Sequence, residues 1–238
     1  MRHHVIVGAS RGIGAALAAG VPDPGDRAWL VSRGRPAVLD RDDGVRREWV
    51  EADLTDPGAA DRIAGAIPAE RLDVVVYNAG IWEDDGFSSG YRFEAVPDPQ
   101  TDAVVAVNLT AAIKCLQRLL PRLRRSDNGK IVLTGSTSGL PQAATQEVAY
   151  SASKFALRGV AHALRHATRA DGVGVTVVNP GSVVTSMDLD APLERVLAAH
   201  PGMIPLHDLV ALVRCVVALS PGSCVKEVDL PAMSDANA

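Results

Sequence analysis

Tyr150 and Lys154 stand four residues apart in Tyr150-Ser151-Ala152-Ser153-Lys154, a spacing that on a helix places a phenol and an ammonium on one face. A free tyrosine, with a pKa near ~10, holds its proton too tightly to be a good base and gives it up reluctantly as an acid. A fixed cation beside it favours the phenolate and draws that pKa toward the working range. The pair is thus a proposal for acid–base chemistry. Taken alone it is equally an ordinary Tyr and Lys on a solvated helix face, and the rest of the chain must decide between the two.

A second constellation is Gly8-x3-Gly12-x-Gly14, which encloses Ser10, Arg11 and Ile13 and lies between the apolar residues 5–7 and a helix-forming stretch at 15–19. Between a strand and a helix, glycines let the backbone approach a pyrophosphate, and the helix N-terminus supplies N–H groups and a favourable dipole. A plain strand-to-helix turn is the alternative use of the same glycines. The end of the next strand discriminates between nicotinamide cofactors, because a carboxylate there binds an adenosine 2′-hydroxyl while arginine pairs with a 2′-phosphate. Here stand Ser32 and Arg33, with no carboxylate, and Arg11 in the glycine turn adds a second cation. Either arginine alone reads as surface charge; together they point to NADP.

These groups need a scaffold. Apolar runs at 5–7, 28–31, 49–52, 72–77, 130–134 and 175–178 predict strands, and helical spacing is expected at 15–19, 101–123, 150–168 and 208–219, with a short last strand near 226–230. β-branched runs of this kind suit strands buried on both faces of a parallel sheet. Alternation of strands and helices throughout implies an α/β, doubly wound sheet with helices on both faces, in one domain.

With 238 residues and 47% hydrophobic content, the chain can bury a sizeable core. A net charge of -4 gives no basic field for nucleic acid. Cys115, Cys215 and Cys224 are far apart and lack CxxC spacing, which argues against a disulfide framework or structural zinc and fits a reducing cytosol. The N-terminus runs directly into the first strand without room for a signal peptide, and no apolar run is read as membrane-spanning. His162 and His166 lie one helical turn apart, but no third ligand accompanies them, so a helix face is expected and no metal.

Taken in order, Gly8-x3-Gly12-x-Gly14, Asp53, Asn78-Ala79-Gly80, Asn108, Ser136, Tyr150-x3-Lys154 and Asn179-Pro180-Gly181 with Thr185 resemble the short-chain dehydrogenase/reductase family over about residues 5–185. The resemblance implies a Rossmann-type three-layer sandwich, NADP(H) as cofactor, and hydride transfer to the carbonyl of a small ketone or aldehyde. It makes Tyr150 the general acid, Lys154 the group that lowers the tyrosine pKa and holds the nicotinamide ribose, and Ser136 the donor that fixes the substrate oxygen. Asn108 would hold a water linking Lys154 to solvent. Asp53 and Leu54 would meet the adenine, Asn78, Ala79 and Gly80 would line the adenosine side, and Pro180, Gly181, Val183 and Thr185 would bind the carboxamide. An alcohol dehydrogenase running the other way, with Tyr150 as base, and a non-catalytic NADP sensor are the alternatives. The resemblance also implies a homodimer or homotetramer built on the helices carrying Asn108 and Tyr150, where Ala111, Ala112, Ala156 and Ala161 would permit close packing.

Two departures stand out. Val7 and Tyr77 occupy positions where the family usually has Thr and Asn, which puts local hydrogen bonding in question. The 33–53 segment is short and contains Pro36 and Gly44, so its crossover helix is expected to shrink to a turn or two. The chain has three Trp, three Tyr and three Phe, and Tyr77, Trp82, Phe87, Tyr91 and Phe93 cluster between residues 77 and 93. They form either an apolar wall for a ring-bearing or acyl substrate or a satellite core or subunit contact. A lid is expected at 186–205, with Met187, Leu189, Leu193 and Met203 as lining candidates.

Overall fold

The apolar runs at 5–7, 28–31 and 74–77 offer no polar alternation to solvent, and each lies fully covered near the middle of one sheet. The computed structural model describes residues 1–141 and 145–235. Its strands are β1 (His3–Val7), β2 (Arg27–Ser32), β3 (Arg46–Glu51), β4 (Val74–Tyr77), β5 (Lys130–Thr134), β6 (Gly174–Pro180) and β7 (Glu227–Leu230). They form a seven-stranded sheet in the order β3-β2-β1-β4-β5-β6-β7, and every pairing is parallel. The chain winds outward through β2 and β3, then reverses through β4. This places the topological switch between β1 and β4, at whose C-terminal ends a crevice opens.

The helices are α1 (Gly12–Gly20), α2 (Ala59–Ala66), α3 (Asp98–Val105), α4 (Ala111–Leu123), α5 (Val148–Thr168), α6 (Leu193–Ala199) and α7 (Leu206–Ala218). Because side chains alternate across each strand, the sheet feeds two cores. Val5, Val7, Trp29 and Val75 face one core with Leu116, Leu119 and Leu157 of α4 and α5. Ile6, Leu30, Val74 and Val76 face the other with Leu17 of α1 and Leu209 and Val213 of α7. This is the three-layer doubly wound arrangement.

The boundaries differ from expectation in instructive places. β3 begins at Arg46 rather than near Trp49, because an outer strand needs apolar side chains on one face only and its first residues are charged. The crossover from β2 to β3 is a single 3-10 turn, Ala37–Asp40. The helix expected over 101–123 starts at Asp98, with Pro99 in its first turn, and is interrupted by a π-helical turn at Ala106–Thr110. The stretch Asp98–Leu123 is long and apolar enough to cross a bilayer by length and composition, contrary to the reading that no run is. Its apolar side chains, Leu116, Leu119 and Leu123, belong to the sheet core. Ala111, Ala112 and Ala161 are likewise buried within the chain, while Ala156 is partly exposed.

Candidate active site

The nucleotide end is built from backbone. At Gly8 the chain leaves β1 with φ +87°, and its N–H donates to the Val31 carbonyl at 2.8 Å. A Cβ here would lie 2.6 Å from the Ala79 Cα, and one on Gly14 would collide with the Gly8 carbonyl oxygen. Only glycine allows the β1 turn, the 78–80 turn and α1 to meet so closely. Asn78 Nδ2 donates to that same Gly8 carbonyl at 3.2 Å, tying the turns together. Arg11 precedes α1 in extended conformation without a side-chain cap, so the first-turn amides of Gly12, Ile13 and Gly14 are left for an anion. Ser10 is exposed at the rim. Gly12 sits against Thr185, whose Cγ2 would be 3.4 Å from a Cβ on that glycine, and this contact joins the phosphate turn to the 180–185 loop. Pro180 closes β6, Gly181 N–H donates to the Leu230 carbonyl, and Val183 forms a parallel bridge with Ile204.

Beyond β2, Ser32 is turned inward and its hydroxyl donates to the Gly34 carbonyl at 2.7 Å. Arg11 and Arg33 are both exposed, and neither has a salt-bridge partner among the described residues. The Arg33 charge reaches the Asp53 carboxylate and helps hold its pKa down, but no carboxylate follows β2 itself, and the two guanidiniums, without ion pairs among the described residues, fit a 2′-phosphate. Asp53, expected at the adenine, accepts through Oδ1 from the Thr55 N–H at 2.9 Å and the Thr55 hydroxyl at 2.8 Å, bonds that hold its pKa below the usual range. Leu54 packs on the edge of the core. The group that fits this surface is a dinucleotide phosphate, held by glycine-turn amides and two arginines.

At the chemical end, α5 brings Tyr150 beside Ser136, which follows β5, and buries Lys154 below them. Lys154 Nζ donates to the Thr134 carbonyl at 2.8 Å and lies 5.5 Å from the centre of the Tyr150 ring. Burial without a carboxylate partner draws its pKa down to about 8. Gly80 leaves the space above it: a Cβ there would be 3.3 Å from Lys154 Nζ and 3.6 Å from Asn108 Oδ1. The π-helical turn directs Asn108 inward, where Oδ1 accepts from Ile81 N–H at 2.8 Å and Nδ2 donates to the Ile81 carbonyl at 2.8 Å and to Ser153 Oγ at 3.0 Å. Asn108 is thus satisfied by protein groups while standing next to Lys154.

The tyrosine differs from the sequence expectation. Burial raises the Tyr150 pKa, the Ser136 hydroxyl beside it lowers it, and the charges of Glu147 and Glu83 raise it further. Lys154 Nζ is hydrogen-bonded to the Thr134 carbonyl and not to the phenol.

The aromatic cluster divides. Tyr77 is core, with its hydroxyl donating to the Val107 carbonyl at 2.6 Å, and Tyr91 is buried while Phe93 is exposed. Trp82 and Phe87 instead stand edge-on to Tyr150, with ring centres at 6.3 and 5.3 Å, and each is more than half exposed, at 55% and 56%. They form an apolar wall at the mouth. Glu83 and Glu147, buried next to Tyr150, escaped the sequence reading; a carboxylate directly before a helix is a faint signal for Glu147, and nothing local marks Glu83. The His162 and His166 pair is exposed, and no metal-binding cluster of His, Cys, Asp or Glu occurs among the described residues. A separate hollow at the far end of α5, lined by Lys130, His162, Arg165, Cys224 and Lys226 among others, contains none of the residues around Tyr150.

Known proteins resemble this chain in sequence and in fold. The chain is 31% identical over 193 residues to a rhamnolipids biosynthesis 3-oxoacyl-[acyl-carrier-protein] reductase of Pseudomonas aeruginosa, covering 77% of this chain and 73% of that protein. A solved structure described as the Pseudomonas aeruginosa RhlG/NADP active-site complex superposes with a TM-score of 0.77 at 26% identity, covering 97% of this chain and 94% of the other. A short-chain dehydrogenase/reductase from Serratia marcescens gives a TM-score of 0.81 at 21% identity, covering 98% and 97%, a likeness of fold. The family model for short chain dehydrogenases matches residues 2–194, a span that takes in every turn and side chain described above from Gly8 to Thr185. The chain therefore belongs to the short chain dehydrogenase family of oxidoreductases.

Proposed function

We propose that this protein reduces the carbonyl group of a small ketone or aldehyde with NADPH, Tyr150 serving as proton donor. The observation that carries the reading is the geometry around Tyr150: a phenol flanked by the Ser136 hydroxyl, with the buried Lys154 ammonium 5.5 Å from its ring centre. A protonated phenol beside a hydroxyl donor suits an oxygen that gains negative charge.

NADPH, when bound, supplies hydride to the carbonyl carbon. The chain's own groups do the remainder. Ser136 and Tyr150 hold the carbonyl oxygen between two hydroxyls, which fixes the face presented for attack. As the carbon–oxygen π bond breaks, Tyr150 transfers its proton to the oxygen and an alcohol results. Lys154, whose ammonium lies 5.5 Å from the centre of the Tyr150 ring, sets a positive charge near the phenolate left behind. Asn108 and Gly80 keep the region above Lys154 polar and open, a route for the replacement proton. The NADP preference read from Arg11 and Arg33 favours this direction over alcohol oxidation, in which Tyr150 would have to begin as a base.

Cofactor choice rests on Arg11 and Arg33, and is supported by the NADP complex of the Pseudomonas aeruginosa relative. The edge-on wall of Trp82 and Phe87 suits a substrate with a ring or an acyl chain beside its carbonyl. The 3-oxoacyl reductase relative agrees with the acyl option. The test is a panel of alkyl ketones, aryl ketones and 3-oxoacyl thioesters with NADPH, scored by cofactor oxidation and alcohol formation. Reduction of at least one class, with NADPH preferred to NADH, is expected; no turnover across the panel would remove the reading.

A further inference from the structure

The first three amides of α5 have no partner inside the helix, yet each is bonded to one loop. Val148 N–H donates to Tyr91 Oη at 3.3 Å, Ala149 N–H to Glu83 Oε1 at 2.8 Å and Tyr150 N–H to the same oxygen at 3.3 Å. Tyr91 Oη also lies 3.5 Å from Glu83 Oε1. The contact runs in the opposite direction as well. Glu147, the residue before α5, accepts through Oε1 from the Phe87 N–H at 2.6 Å, and its Oε2 takes the Gln146 N–H at 3.2 Å and the Thr145 hydroxyl. Each segment therefore supplies a carboxylate to the other's backbone, a reciprocal cap assembled, like a capping box, from two separate chain regions.

Two further features mark this clamp as functional in placement. Glu83 is 1% exposed, and its Oε2 has no hydrogen-bond partner, an unfavourable burial that the Oε1 bonds must offset. Phe87, which Glu147 holds, has φ +63°, a left-handed conformation costly for a bulky residue. Its ring is the one 5.3 Å from Tyr150.

We propose that Glu83 and Glu147 form a reciprocal clamp whose task is to position Tyr150 and the Trp82–Phe87 wall as one unit. Both are positioning residues, acting through the tyrosine; neither touches the reacting atoms. This rests on the reading of Tyr150 as the proton donor. The polar and charged groups about Tyr150 are Ser136 from the β5 end, Glu147 from the helix start and Glu83 from the loop, with Lys154 from its own helix.

The experiment compares the parent with Glu83→Ala, Glu83→Asp and Glu83→Gln by backbone amide hydrogen exchange, steady-state kinetics on an accepted carbonyl, and NADPH titration. Gln keeps an acceptor at the Oε1 position, whereas Asp keeps the charge but withdraws the oxygen by about one bond. Exchange at residues 148–150 should quicken about tenfold or more in the Ala and Asp variants and stay near the parent in Gln. Because small misplacements are costly in catalysis, kcat should fall about tenfold or more in Ala and Asp, with Gln within about threefold and NADPH affinity within about twofold throughout. If Ala does not fold, the Asp and Gln pair carries the same contrast.

Unchanged exchange at 148–150 in the Asp variant would overturn the clamp. Faster exchange with kcat unaltered would overturn its positioning role, as would a Gln variant no better than Asp. The exchange measurement needs no substrate, so a parent that reduces no carbonyl would remove the proposed activity while the amides still report on the clamp.

Discussion

The buried Tyr77 hydroxyl donates to the carbonyl of Val107 at 2.6 Å, so a phenol from β4 braces the π-helical turn that presents Asn108. The departure from the usual asparagine at this position thus brings its own hydrogen bond. Burial raises the Tyr77 pKa far above the usual range, which keeps the hydroxyl a donor. Tyr77→Phe leaves the ring in the core and removes its hydrogen bond to the Val107 carbonyl. A loss of about 1–3 kcal/mol in denaturant stability is expected, and an unchanged midpoint would show that the turn is held by other means.

Lys154 is a buried cation whose pKa falls from 10.5 to about 8. The unfolded chain binds the lysine proton more tightly, so between pH 8 and 10.5 the unfolded state holds more protons and stability rises with pH. Below about pH 8 both states are charged and the full penalty applies. Lys154→Met should therefore raise cofactor-free stability at neutral pH by about 1–3 kcal/mol, with the gain shrinking as pH climbs through that window. A pH-independent difference between parent and variant, measured by thermal unfolding, would contradict this assignment.

Arg33 is exposed at the end of β2 with no salt bridge among the described residues. Arg33→Ala should weaken NADPH binding about 10-fold or more, the scale of a lost charge-assisted contact, and leave NADH binding within about twofold. Equal losses for both cofactors would sink the 2′-phosphate argument.

Most of the fold was legible because this sheet is covered on both faces, and its β-branched runs carry that requirement openly. The nucleotide turn was legible for a related reason, since close backbone approach admits only glycine at Gly8 and Gly14. Ser136, Tyr150 and Lys154 were singled out by spacing and by the resemblance to the family, and the fold brings them together. What escaped depends on distant partners. The π turn at Asn108 is fixed by Ile81 and Tyr77, and the Glu83 and Glu147 contacts join segments that no local pattern links. The tyrosine's raised pKa was missed because helical spacing brings Lys154 near Tyr150, but not where its ammonium points: here to the Thr134 carbonyl.

Trp82 and Phe87 give the substrate side its apolar character. Trp82→Ala and Phe87→Ala should each lower kcat/KM for ring-bearing or long-chain carbonyls by about 1–3 kcal/mol of transition-state binding while changing little for the smallest ketones. Uniform losses across the size series would assign the rings to loop structure instead.

The most direct measurement of the central claim is turnover by Tyr150→Phe on a carbonyl that the parent reduces with NADPH. The ring that meets Trp82 and Phe87 is retained and only the hydroxyl group is removed. A fall in kcat of about 100-fold or more, with NADPH affinity near that of the parent, is the expected result for loss of a general acid. Turnover within about twofold of the parent would contradict Tyr150 as the proton donor.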